Sequence, residues 1–274
     1  MLALHGAMGG YDQGLILGRT IGEAGYRHVA ISRPGYLGTP LTAGRTPEEQ
    51  ADLCANLLDA LDIDRTAVLA VSGGGPCALQ FALRHPDRSW GLVLVSTCSG
   101  KIETPVPLVF HLIVFLARWP WFAAALRRRA ERDPQAAARR SIADPTTRAR
   151  TLQDPEAGPL FTALLQSTAD RMALRLPGTE NDIRVTRTTT YPLERIAVPT
   201  LVVHGTADRL VPFPQHGRVL ATRIPGAELL AIEGGEHVAI FTHRATVWAR
   251  VTAFLRAHAP SGPKACGGLN ERRP

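Results

Sequence analysis

Ala70-Val71-Ser72-Gly73-Gly74-Gly75 joins a strand to a helix through the tightest turn in the 274-residue chain. The reading of that turn decides the fold. Upstream, Thr66 to Val71 (TAVLAV) is a short apolar, branched run of the kind that forms a strand buried on both faces. Downstream, Pro76 to His85 carries Cys77, Ala78, Phe81 and Ala82 at helical spacing. A serine on so sharp a bend has strained backbone angles and little room beside it, so small neighbours are a geometric demand. Ala70 occupies the small position two residues before the serine, and Gly74 the one two residues after it. A glycine-rich turn carrying a serine also serves as a plain turn or a phosphate-binding loop, but no Gly-Lys-Ser/Thr follows here. The catalytic reading therefore depends on whether a base and an acid lie at the ends of other strands.

A chain of this length can form one large domain, or one domain carrying an insertion, around a sizeable core. Hydrophobic residues make up 45% and aromatics 6%, which suits a globular α/β protein. The formal charge is +7, and among 31 basic residues only Lys101 and Lys264 are lysines. The arginines are scattered, with local concentrations at Arg127, Arg128 and Arg129 and at Arg132, Arg139 and Arg140. A solvated helix face accounts for these better than a nucleic-acid or acidic-membrane patch. Cys54, Cys77, Cys98 and Cys266 have no close pairing and no metal spacing, and read as reduced, buried thiols. MLALHG lacks the charged start and apolar run of a secretory signal. Val106 to Leu126 is lipophilic but broken by Pro107, His111, Arg118 and Pro120, which suits a lid and not a membrane span. The expectation is a soluble cytoplasmic protein with no stable membrane insertion.

Taken in order, Leu2 to His5 reads as a strand running into Gly6-Ala7-Met8-Gly9-Gly10, Tyr11 to Ala24 as a helix, and Arg27 to Ile31 as a second strand. Thr46-Pro47-Glu48-Glu49 opens the next helix with a capping box, and Leu53, Leu57, Leu58 and Leu61 recur at helical spacing along it. The Ser72 strand and helix follow, then the strand Gly91 to Val95. Strands alternating with helices imply a mainly parallel sheet wound on both faces. The rhythm breaks at about Gly100. Residues 101–192 read as an inserted helical cap with apolar patches (Leu108, Phe110, Leu112, Ile113, Phe115, Trp119, Trp121, Phe122), Arg-rich faces and Asp-Pro steps. The rhythm resumes with the strand Thr200 to His204, a helix near Gln215 to Thr222, the strand Glu228 to Ile232 and a helix from His243 to His258. The core is thus 1–100 with 193–258, and 259–274 reads as a disordered tail.

Two strand ends supply partners for the serine. Thr200 to His204 runs into Gly205-Thr206-Ala207-Asp208, and Glu228 to Ile232 into Glu233-Gly234-Gly235-Glu236-His237. A carboxylate and an imidazole would both be delivered at the sheet's C-terminal edge. Asp182, in the cap, is the alternative acid. His5 and His204 each end a strand before a glycine, where hydrogen bonding of the adjoining loops is their expected work. His28, His85, His111, His216, His243 and His258 show no partner in the sequence.

Five blocks in this order resemble the α/β-hydrolase-fold superfamily, and within it the capped serine hydrolases such as esterases and proline iminopeptidase-like enzymes. They are His5 to Gly10, Arg33-Pro34-Gly35-Tyr36-Leu37-Gly38-Thr39, Val71 to Pro76, His204 to Asp208 with Val211-Pro212, and Gly235-Glu236-His237. The resemblance spans residues 1–258. It implies Ser72 as nucleophile, Asp208 as acid, His237 as base, and an oxyanion hole from the backbone N–H groups of Gly73 and of Ala7 or Met8. It implies no cofactor and no metal. The stretch Arg33 to Gly38 would brace the loop beside the oxyanion hole. Relatives place a pair of strands before the one ending in His-Gly; here that strand begins at Leu2, so the expectation is either a start that lies upstream or a truncated sheet with an unusual, unpaired edge.

The expected activity is hydrolysis of an ester, thioester or amide of a small, largely apolar molecule through an acyl-enzyme. An acyltransferase or a cofactor-free perhydrolase would use the same three residues, and a non-catalytic ligand-binding or signalling protein on this scaffold is the reading from another class. A nucleic-acid binder acting through the Arg-rich cap ranks below both. Serine in the nucleophile place argues against the aspartate-dependent dehalogenases and epoxide hydrolases of the superfamily.

Overall fold

The computed structural model describes residues 1–21, 25–103, 112, 115–117 and 119–260. Among these residues six parallel strands form one sheet: β1 (Leu2–Leu4), β2 (Val29–Ala30), β3 (Thr66–Val71), β4 (Ser89–Val95), β5 (Thr200–Gly205) and β6 (Glu228–Ile232), in the order β2-β1-β3-β4-β5-β6. Their C-terminal ends lie in register, with Leu4 opposite Ala70, Val71 opposite Val95, Val95 opposite Val203, and Gly205 opposite Ile232. The loops after β1, β3, β5 and β6 therefore emerge along one edge, which is where ligands bind in open parallel sheets.

Every residue of β3, β4 and β5 is buried, because side chains alternate between two covered faces. Leu69, Val93, Leu201 and Val203 pack on one side with Leu17 of α1 (Tyr11–Ile21) and with Val247, Val251 and Phe254 of the C-terminal helix. Val68, Leu92, Leu94 and Val202 pack on the other with Leu58 of α2 (Pro47–Ala60), Phe81 of α3 (Gly75–Arg84) and Leu220 of a helix after β5. Each fully buried leucine or valine contributes roughly 1.5–3 kcal/mol of transfer free energy. The expected capping box is present: Thr46 Oγ1 accepts from the Glu49 N–H and Glu49 accepts from the Thr46 N–H.

Between β4 and β5 the chain builds α4 (Pro120–Arg132), α5 (Pro134–Ala138), α6 (Pro145–Gln153), α7 (Ala157–Ala169) and α8 (Leu176–Thr186). The Asp-Pro steps that make this stretch look irregular are helix starts. Asp133 and Asp144 accept the N–H of Ala136 and Thr147, and each is followed by proline in the first turn. α8 and the turn just before it are pinned to the β2 loop and to α1: Leu37 N–H donates to Leu174 O, Gly178 N–H to Gly35 O, and the buried Arg175 pairs with Asp12 at 2.6 Å. Gly35 has φ +87°, and a Cβ there would lie 2.6 Å from the Gly178 backbone, so two glycines let these segments touch.

Several expectations need adjustment. The strand Arg27 to Ile31 pairs only at Val29–Ala30, because β1 is itself three residues long and offers no more edge. β2 takes the margin of the sheet and β1 lies inside it, between β2 and β3. After α9 (Gly217–Arg223) a short helix the sequence reading did not contain, α10 (Ala239–Thr242), precedes the last expected helix, which forms as α11 (Arg244–His258). The end of the first expected helix (22–24), much of the aromatic stretch (Leu108, Phe110 and Ile113 among it), His111, Arg118 and the tail from 261, with Cys266, lie outside the described residues. Cys54, Cys77 and Cys98 are buried free thiols. Among the described residues no helix is long and apolar enough to cross a membrane.

Candidate active site

β3 ends directly in Ser72, whose φ of +51° is the left-handed region that L residues avoid. The strain is held by its surroundings. Thr97 Oγ1 donates to Ser72 O at 2.5 Å, and a Cβ on Gly74 would lie 2.5 Å from Leu4 O, so only glycine lets α3 start this close to β1. α3 begins three residues later and aims its positive N-terminal end at the same spot.

Asp208 and His237 come together because their loops are joined. Thr206 N–H donates to Ile232 O, Ala207 N–H to Gly235 O, and Gly234 N–H to Thr206 Oγ1. His237 Nδ1 then lies 2.8 Å from Asp208 Oδ2 and Nε2 lies 3.0 Å from Ser72 Oγ. With Asp208 as a carboxylate, Nδ1–H donates and Nε2 is left to accept the serine proton. Asp208 Oδ1 accepts the N–H groups of Leu210 and Val211. Burial alone would raise its pKa; hydrogen bonds from His204 and His237, with the His237 charge, more than offset this and hold it well below the usual carboxylate range.

Ala7 and Met8, the two expected alternatives beside Gly73, stand differently. Met8 N–H is donated to Thr179 Oγ1 at 2.9 Å, whereas Ala7 N lies 3.1 Å from where a Cβ on Gly73 would stand. Ala7 N–H and the Gly73 backbone thus flank one space beside Ser72. His5 buttresses this loop: Nδ1 donates to Gly6 O at 2.7 Å while Nε2 accepts the Arg33 N–H at 3.0 Å. Burial, then the Arg33 charge, keep its pKa well below the ordinary value.

Asp182 is not the acid on His237. It sits on α8, with Oδ1 and Oδ2 bonded to Arg33 at 2.9 and 2.6 Å and Oδ2 also accepting from Tyr36 at 2.6 Å. Burial pulls the Arg33 pKa down, but the Asp182 charge, the nearby Tyr36 and the Asp182 hydrogen bonds together outweigh it, and the guanidinium titrates above its usual range. Burial, then that same charge, push the Tyr36 phenol well up. A cavity of about 160 Å³ opens onto Ser72 and His237. Ala7, Cys98, Ile102, Ile183, Leu210 and Val211 make it largely apolar, with Asp182 and Thr186 on the α8 side.

Histidines that the sequence leaves without partners have them in the structure: His85 with Asp52, His216 with Ser99 and His258 with Glu228 across the fold, and His243 with its neighbour Thr242. His204 does more than serve its loop. Its Nε2 lies 2.8 Å from Val211 O and 3.5 Å from Asp208 Oδ2, a second imidazole on the same carboxylate. Its position four residues before Asp208 was the available signal.

The family model described as alpha/beta hydrolase fold matches residues 1–244. A poly(3-hydroxyalkanoate) depolymerase of Ectopseudomonas oleovorans is 31% identical over 246 residues, 88% of this chain and 80% of that protein. The 2-hydroxy-6-oxononadienedioate/2-hydroxy-6-oxononatrienedioate hydrolase of Cupriavidus pinatubonensis is 29% identical over 85% of this chain and 77% of its own. Among solved structures, an alpha/beta hydrolase fold protein from Nakamurella multipartita superposes with a TM-score of 0.85 at 34% identity, covering 93% of this chain and 91% of that one. With the family model spanning the sheet, the helical segment and the loops just described, the chain belongs to the alpha/beta hydrolase fold family and is a hydrolase.

Proposed function

We propose that the protein is a serine hydrolase that cleaves an ester, thioester or amide of a small, largely apolar molecule through an acyl-enzyme, with the helical segment between β4 and β5 as its cap. The observation that carries the reading is the chain of contacts from Ser72 Oγ to His237 Nε2 and from His237 Nδ1 to Asp208 Oδ2, at 3.0 and 2.8 Å.

In this mechanism Ser72 Oγ attacks the carbonyl carbon as its proton passes to His237 Nε2. Asp208 keeps the ring in the correct tautomer and stabilises the imidazolium. The carbonyl oxygen becomes an oxyanion and receives the N–H groups of Gly73 and Ala7, Met8 being committed to Thr179. One such donor is worth ~3–4 kcal/mol in the transition state. The imidazolium returns its proton to the leaving alcohol, thiol or amine as the carbon–heteroatom bond breaks. Water, deprotonated by His237, then attacks the acyl-enzyme, and the proton goes back to Ser72 Oγ as the acid departs. Support for a carboxylic ester comes from the apolar cavity and from the depolymerase relative, whose name denotes a polyester.

A fluorophosphonate probe with intact-mass analysis tests the reading. One adduct on Ser72, absent from Ser72→Ala and strongly slowed in His237→Ala, is expected. An unlabelled wild-type protein, or a His237→Ala variant labelled at the wild-type rate, contradicts it.

A further inference from the structure

Met8 stands one residue beyond the proposed Ala7 donor with φ +57°, a left-handed conformation that a residue with a side chain avoids. Such a conformation persists only where its surroundings over-determine it. Here the surroundings come from the helical segment between β4 and β5. Met8 N–H donates to Thr179 Oγ1 at 2.9 Å, and Met8 O accepts from Gln13 Nε2 at 3.3 Å. Gln13, on α1, reaches in turn Ser167 Oγ and Thr168 Oγ1 on α7 at 3.1 and 3.2 Å. The Met8 side chain packs on the cluster of Ala117, Ala169, Met172 and Leu176.

Thr179 is well set for this contact. It is buried on α8, its hydroxyl donates to Arg175 O at 2.9 Å, and the oxygen is left to accept the Met8 N–H. The consequence falls on Ala7. Its N–H belongs to the peptide whose carbonyl, Gly6 O, is held by His5 Nδ1, and in a planar trans peptide the two groups point in opposite directions. Thr179 secures the next peptide, between Ala7 and Met8, from the other end. Ala7 N–H itself has no acceptor among the described residues, and Ala7 lines the cavity with Ser72 and Gly73.

Resting on the serine-hydrolase reading above, we propose that Thr179 is a positioning residue that, through Met8, holds the Ala7 N–H at the carbonyl oxygen as it becomes an oxyanion. One donor, Gly73, is then fixed by β3 and α3, and the other by α8. The hole is complete only while α8 sits on the loop after β1.

The test compares p-nitrophenyl butyrate with its thiono analogue, in which sulfur replaces the carbonyl oxygen, with Ser72→Ala as background. Sulfur is a weak hydrogen-bond acceptor, so the thiono ester meets the same serine with little help from the two N–H donors. Wild-type kcat/KM is expected to be at least ~100-fold higher for the oxygen ester. Thr179→Val keeps the shape and loses the acceptor. Its kcat for the oxygen ester should fall ~10–100-fold with KM little changed, since the donor is loosened and not deleted. The thiono ester should slow by under about 3-fold, so the ratio between the two shrinks. Thr179→Ser, which keeps the hydroxyl, should bring both esters to within about 3-fold of wild type.

An unaffected Thr179→Val enzyme overturns the proposal, and so does equal slowing of both esters, because a disturbed Ser72 or His237 slows the two alike. A wild-type ratio below about 10, or a Thr179→Ser variant as slow as Thr179→Val, overturns it as well. If Thr179→Val does not fold, Thr179→Ala, which admits water to the Met8 N–H, takes its place. Failure of both to fold makes Thr179 a structural residue and also ends the proposal. Butyrate turnover no faster than Ser72→Ala would instead sink the serine-hydrolase reading itself.

Discussion

His204 Nε2 stands 3.5 Å from Asp208 Oδ2, the oxygen that also faces His237 Nδ1. Both rings approach one carboxylate oxygen, while the backbone N–H groups of Leu210 and Val211 hold the other. The buried His204 thus stands against the carboxylate as a second imidazole beside His237.

Removing that support by His204→Ala should lower kcat for p-nitrophenyl butyrate ~10-fold, the low end for a hydrogen bond to a charged group, because the 2.8 Å contact to Val211 O takes the better geometry. KM should change little, since His204 touches no substrate. Steady-state kinetics on a variant of native near-UV circular dichroism decide it; an equal loss in kcat and in thermal stability alone would point to a merely structural role.

The three residues of the proposed relay should not behave additively. Ser72→Ala and His237→Ala are each expected to lower kcat by ~10⁵–10⁶, and the double variant by about the same. Asp208→Asn should lower it by ~10⁴ through the wrong imidazole tautomer. Multiplying losses in the double variant would mean that Ser72 and His237 act independently.

Acid should destabilise the fold in two stages. His5, His216 and His243 each titrate below their ordinary 6.5, burial being the first cause in all three. Below that pH the unfolded chain binds protons that the folded chain refuses, so stability is complete above about pH 6.5 and falls as pH drops. Asp208, depressed in the fold, adds a second loss below its ordinary 3.8. Calorimetry should show Tm falling from pH 7 to pH 5 and again below pH 4, with a shallower first stage in His5→Gln. A Tm that rises between pH 7 and pH 5 would contradict the assignment.

Gly178→Ala should be costly for its size. A methyl there would overlap the Tyr36 ring, and the ring cannot retreat because it is buried and its hydroxyl is tied to Asp182. The expected loss is ~1–3 kcal/mol, or a Tm lower by several degrees. An unchanged Tm would show that α8 can step away from the β2 loop.

Much of the fold is legible in the chain because it rests on local chemistry. TAVLAV, GLVLV and TLVVH are apolar without alternation, as strands covered on both faces must be, and they form β3, most of β4 and most of β5. The glycines after Ser72 announce a close approach, which proves to be that of α3 to Leu4. Helix starts among the Asp-Pro steps escape a periodicity search, because α5 is only five residues long. The site is legible in part. Strand ends followed by Ser72, Asp208 and His237 can be picked out one by one, yet that the Met8 N–H is taken up depends on Thr179, 171 residues away.

By itself, then, the sequence determined the order of strands and helices, the bend at Ser72 and the edge at which Asp208 and His237 emerge, because hydrophobic period and turn chemistry act over a few residues. Only the tertiary structure decided that Asp182 answers Arg33 and Tyr36 instead of His237, that His204 backs Asp208, and that β2 stops after two residues. Those outcomes are set by distances between segments far apart in the chain, where a buried charge must find its partner and a strand can extend only as far as its neighbour.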